Sequence, residues 1–234
     1  MNFAIFSTDG LMFFLRWLHL FFGVLWIGLL YYFNFVQGAF MAEADASTKS
    51  VATQKLVPRA LWWFRWAALW TIITGFTYLS LRAQQIGPDF YRTSWGISIL
   101  IGALLGLTMG FNVWFVIWPN QKKVIESASL VAQGKPALTE AAGCAARALT
   151  ASRTNVLFSI PLLFYMAAAS HLPFSVGENA YLTILWLVIA ALVGGIEFNA
   201  LKGKTGPLTT IRGVIHSAVA LAIALYFIVE LLVR

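Results

Sequence analysis

The sequence predicts an all-α polytopic membrane protein: a bundle of about six transmembrane helices with an amphipathic helical connection on the cytoplasmic side. Three observations carry that prediction. Of the 234 residues 60% are hydrophobic and only 11% charged, too little charge to clothe a soluble domain of this length. The apolar residues are gathered into blocks, several near or above the roughly 18 residues a helix needs to cross hydrocarbon. Lipid offers no partner for a backbone N–H or C=O, so blocks of this length must close their hydrogen bonds internally, as helices.

Taken in order, the first span covers about 11–37 and is too long for a signal-peptide core. A polar connection, Ala42–Pro58, precedes the second span, about 59–81. The Gly87-Pro88-Asp89 turn separates it from the third, about 95–118, which the sequence ends at Pro119-Asn120. The long connection Gln121–Arg153 reads as one or two short amphipathic helices broken at Gly134-Lys135-Pro136. The fourth span, about 154–170, carries Pro161 and should kink there. Pro173 and Gly177 mark the next turn, and the fifth and sixth spans cover about 179–201 and 208–232. Residues 1–234 thus form a single transmembrane domain.

The net charge of +7 is a matter of topology. Lys49, Lys55 and Arg59, then Lys122, Lys123, Lys135, Arg147 and Arg153, then Lys202, Lys204 and Arg212 fall in the first, third and fifth connections. The other side holds only Arg82, Arg92 and Arg234. The positive-inside rule puts the rich side in the cytoplasm and both termini outside. No basic stripe or recognition module accompanies the charge, so nucleic acid is excluded as a partner. Cys144 is the single cysteine, which rules out an internal disulfide and a cysteine metal cluster. No nucleotide loop, Ser-His-Asp order or HExxH is present. Gly102, Gly106 and Gly110 form a small-residue stripe suited to close helix packing, and Trp62, Trp63, Tyr91, Trp95 and Trp118 sit where interfacial anchors belong.

Ionisable groups inside hydrocarbon are costly and therefore functional candidates. All three histidines qualify: His19, one turn from Arg16 and followed by Gly23; His216, one turn from Arg212; and His171 at the end of the fourth span. With the N-terminus outside, His19 lies about 12–14 Å below the outer edge and His216 about 10–12 Å above the inner one, at 1.5 Å rise per residue. Their depths then differ by only several ångströms, so the two could supply both axial ligands of a b-type haem, with no metal expected beyond the haem iron. Arg16 and Arg212 would meet propionates or another anion, and Gly23 would leave room for a flat ring. The alternative keeps each histidine hydrogen-bonded to a neighbouring helix, with the arginines snorkelling to headgroups. A second polar set, Arg65, Asn112, Asn155 and Glu197, gathers toward the inner side, where Arg65 and Glu197 are expected to form an ion pair.

These motifs resemble a known family. Arg16-Trp17-Leu18-His19 through Trp26-Ile27-Gly28 resembles the first helix of the bacterial membrane-bound urate oxidases, which join a helical membrane domain to a C-terminal cytochrome c domain. Leu61-Trp62-Trp63-Phe64-Arg65-Trp66 with Thr74-Gly75, Ser152-Arg153-Thr154-Asn155 through Ser159-Ile160-Pro161, and Ser170-His171-Leu172-Pro173 extend the similarity over most of the chain. The resemblance implies residence in a bacterial inner membrane, with both termini periplasmic. There are departures. No Cys-x-x-Cys-His is present, so the cytochrome c domain is expected to be absent. The family pattern has histidines where this chain has Trp62 and Thr154, and an acidic residue where it has Ala67, while His19, Asn155 and His171 are kept.

The expectation is therefore a membrane redox protein in which His19 and His216 hold haem b. His171 would face a substrate or an electron partner such as cytochrome c or another membrane redox subunit. The departures argue against urate oxidation itself. The competing reading is a non-catalytic membrane subunit of a larger respiratory or oxidase complex. A transporter is disfavoured, since no internal repeat or second broken helix accompanies Pro161.

Overall fold

The computed structural model describes residues 3–234, and these contain six long helices and no strand. They are α1 (Thr8–Glu43), α2 (46–86), α3 (Ser94–Ala132), α4 (Ala141–His171), α5 (Leu182–Lys202) and α6 (Ile211–Val233). By length and composition α1, α3, α5 and α6 are long and apolar enough to cross a membrane. Four starts are fixed by side-chain caps, since the first N–H groups of a helix have no partner of their own. Ser7 accepts from Gly10 N, Asp45 from Thr48 N, Thr93 from Gly96 N and Thr210 from Gly213 N. Gly87, at φ +100°, ends α2 in a conformation that only glycine adopts freely.

The helices run further than the apolar blocks. The polar connection 42–58 is largely helical, and residues 121–132 and 141–153 continue α3 and α4 rather than forming separate short helices. The break falls where the sequence put it, with Gly134 at φ +75°. Pro119 does not end α3. A π-helical stretch, Asn112–Ile117, widens the helix just before it, and a second, Ala52–Leu56, stands just before Pro58. Proline lacks an N–H and crowds the carbonyl four residues back, and the wider turn relieves both demands. A third π stretch, Tyr32–Gln37 in α1, has no proline. There the Asn34 side chain donates to the Leu30 carbonyl at 2.9 Å, inserting itself into the ladder.

At the centre stands α4, whose residues Thr154 to Ser159 are buried without interruption, as expected of a helix surrounded on all sides. It packs along α3 and α6, and more lightly on α5 and α1, whereas α1 lies chiefly along α2. No substantial interface joins α1 to α6. The glycine stripe of α3 is internal. A Cβ at Gly102 would meet Met166 and one at Gly106 would meet Leu162, both on α4, while one at Gly110 would meet Ile72 of α2. Both ends of the bundle are tied across connections. Arg92 reaches the Glu178 carbonyl, and Gly177 N and Tyr181 N bond the last turn of α6, so the second and fourth connections and the C-terminus share one face. On the opposite face Arg153 donates to the carbonyls of Leu208 and Thr209.

Candidate functional site

Two polar centres interrupt the apolar interior. The first joins α1 to α2. His19 is half-buried, and its Nδ1 lies 2.8 Å from the Thr71 carbonyl oxygen. A carbonyl only accepts, so Nδ1 carries the proton and Nε2 keeps its lone pair. Nε2 has no hydrogen-bond partner among the described residues. The ring lies over Gly75, where a Cβ would come within 2.8–2.9 Å of its atoms. Thr71 and Thr74 hydroxyls fold back onto carbonyls of their own helix rather than reaching across to α1. Arg16, one turn earlier, donates to the Tyr78 hydroxyl at 2.7 Å with its guanidinium 5.1 Å from that ring. A Cβ at Gly23 would meet the Thr71 methyl at ordinary contact distance, so the α1–α2 approach does not itself require a glycine there.

The second centre is fully internal. Asn155 is wholly buried on α4 and donates to the Met109 carbonyl on α3 at 3.0 Å. Its oxygen accepts from Nδ2 of Asn112, also wholly buried, at 3.0 Å. The same nitrogen donates to Oε2 of Glu197 on α5 at 3.0 Å. Three helices are thus stitched at one level, where the π stretch of α3 begins. Nearby in the chain order, Asn34 donates to Ser152 at 2.8 Å and Tyr31 bonds Ser159 at 2.9 Å, tying α1 to α4. π segments recur at functional sites, and here they mark the polar layer.

The expected ion pair between Arg65 and Glu197 does not form. Arg65 lies on α2 and stacks over Trp118, 3.8 Å from the ring centroid, and more loosely over Trp114, while α2 shares no substantial interface with α5. The guanidinium meets aromatic faces of α3 instead of a carboxylate. Asn112, Asn155 and Glu197 do come together as the inner set without it. His216 and Arg212 lie exposed on the same face of α6, and neither has a hydrogen-bond partner among the described residues. His171 ends α4, also exposed. No group of three or more His, Cys, Asp or Glu suited to a metal ion occurs among the described residues.

Sequence reasoning missed Asn34, Ser152, Tyr31, Ser159, Thr71 and Tyr78. Asn34 had a signal, a lone amide in the Tyr32-Phe33-Asn34-Phe35 run. The hydroxyl residues had none, because Ser and Thr in apolar helices mostly bond their own backbone.

Fold and polar layer together define a polytopic helical membrane protein with buried interhelical hydrogen bonds. The family model described as Urate oxidase N-terminal matches residues 90–229, more than half of the chain, and the chain belongs to that family. The matched stretch takes in Asn112, Asn155, His171, Glu197 and His216. It leaves all of α1 and α2, with Arg16, His19 and Arg65, outside. No curated protein and no solved structure matches the chain.

Proposed function

We propose that this chain is an integral membrane redox protein that binds b-type haem through His19 and His216 and passes electrons to or from a separate partner. It would reside in a bacterial inner membrane with both termini periplasmic. The observation that carries the reading is the tautomer of His19: one nitrogen is anchored on the Thr71 carbonyl, and the other is left with a free lone pair. Metal-ligating histidines are oriented by just such a second bond. The donor chemistry of His19 therefore fits an axial ligand. What His216 offers is an exposed ring without a hydrogen-bond partner among the described residues, on a helix that shares no substantial interface with α1. Arg212, on the same face, is free to meet an anion, whereas Arg16 is engaged by Tyr78. A bound haem supplies a one-electron couple. Thr71 and Gly75 would hold the His19 ring in place, and exposed His171 would face an outer partner such as cytochrome c.

The test is optical. Chain purified from haem-replete cells should show the reduced absorption band of a low-spin b haem. His19→Ala should lose it, and Thr71 itself, which acts through its backbone, should tolerate Thr71→Ala. A colourless preparation would end the reading.

One observation favours a second reading, a non-catalytic membrane subunit of a larger respiratory or oxidase complex. An apolar cavity of about 820 Å³ opens between α2 and α3, lined by Leu69, Ile72, Leu107, Phe111 and Trp114 among others. Migration as a cofactor-bearing monomer on native gels in mild detergent would count against it.

A further inference from the structure

The inner layer contains a chain of hydrogen bonds whose direction is fixed at one end. The Met109 carbonyl can only accept, so the Asn155 amide must point its nitrogen there and its oxygen at Asn112. Asn112 must then present its nitrogen, which spends both hydrogens, one on Asn155 and one on Glu197 Oε2. This leaves Asn112 Oδ1 and Glu197 Oε1, both sealed from solvent and both without a hydrogen-bond partner. They are the remaining oxygens of two groups already joined by one N–H···O bond. Two orphaned acceptors on one such pair lack a single thing, a donor between them. A buried oxygen left without a donor bears its full desolvation cost.

We propose that Glu197 carries its proton inside the bundle, donating it from Oε1 to Asn112 Oδ1 in a closed acid–amide pair. One bound proton supplies the missing donor to both oxygens at once and removes a negative charge from the membrane interior, where an unpaired carboxylate is costly. No cation stands ready to neutralise it otherwise. Arg65 of α2 lies on Trp118, and Arg153 of α4 turns one guanidinium nitrogen to the Leu208 and Thr209 carbonyls. Arg147 of α4 bonds Asn120. Lys122 and Lys123 of α3, Arg212 and His216 of α6, and Lys202 on α5 itself are exposed. The layer is thus a buried proton-binding site. It is independent of the haem reading, since none of its residues hydrogen-bonds His19 or His216.

The test uses the full chain in detergent or lipid at neutral pH. The wild-type minus Glu197→Gln infrared difference spectrum should show the carbonyl stretch of a protonated carboxyl group. Glu197→Gln should keep the wild-type unfolding midpoint, because its amide can donate to Asn112 Oδ1 as the acid does, while Glu197→Ala should lower it. Carboxylate bands in the difference spectrum would overturn the proposal. So would a Glu197→Gln chain that unfolds as readily as Glu197→Ala or fails to fold. A wild-type midpoint that falls when sodium is replaced by choline, with no such dependence in Glu197→Gln, would overturn it in favour of a bound cation.

Discussion

The two polar centres answer the same problem, a polar group in an apolar bundle, in opposite ways. The His19 centre lies on the rim of the bundle, between two helices, and ends in a lone pair with nothing to accept. The Asn112 centre lies at the junction of three helices and ends in two oxygens with nothing to receive. The first is anchored by a backbone carbonyl and open on its far side, which suits a group that must be reached. The second is closed all round, which suits a group that must be kept. The difference teaches that burial alone does not mark a site. The count of donors against acceptors, taken atom by atom, separates a place for a ligand from a place for a proton.

That comparison can be broken most forcefully from the inner side. Asn155→Leu removes the link that directs the whole chain, taking the side-chain donor from the Met109 carbonyl and orphaning one hydrogen of Asn112. A loss of about 2–4 kcal/mol in unfolding free energy is expected, measured by denaturant titration in mixed micelles. A loss within error would mean that the layer is not a structural junction. The outer side should be sharpened by a glycine pair. Gly75→Ala drives a methyl group to 2.8 Å from the His19 ring and should cost about 1–3 kcal/mol and displace the imidazole. Gly102→Ala meets only the end of the Met166 side chain, at 2.6 Å, and should cost much less, because that tip can swing away. Equal costs would show that His19 is not held by the α1–α2 crossing.

Smaller effects follow at the exposed ends. Tyr78→Phe should loosen Arg16 for about 0.5–1 kcal/mol, with the ring still beneath the guanidinium. The least is expected at Asp45, where hydrogen bonds from the Thr48 hydroxyl and backbone N–H hold the carboxyl below its ordinary value. A carboxyl lowered on folding contributes stability above its unfolded pKa and loses it as pH falls through the folded one. The protection factor of the Thr48 amide, its exchange measured against the intrinsic rate at each pH, should therefore fall on acidification, and Asp45→Asn should remove that fall.

The fold was legible because apolar blocks announce themselves by length and hydropathy, so the six helices and their order could be read directly, although they run well beyond the blocks and four of them are long and apolar enough to cross a membrane. The π stretches could not. They arise where proline or an Asn side chain meets the hydrogen-bond ladder in three dimensions, so Pro119 read as a stop and turned out to be a passage. Of the sites, the inner set was legible as rare polar residues, yet its pairing was not. Arg65 and Glu197 looked complementary by charge, but aromatic faces of α3 intercept the guanidinium and an amide meets the carboxylate. The glycine stripe was legible as packing, though only the packed bundle identifies α4 as the helix filling most of it.

The haem proposal requires that His19 of the first helix and His216 of the last share one iron. Low-temperature electron paramagnetic resonance of the oxidised, haem-loaded chain tests it most directly. Wild type and His171→Ala should give a low-spin ferric signal, and His216→Ala a high-spin one. A low-spin signal that survives His216→Ala, or the absence of any ferric signal in the wild-type chain, would contradict it.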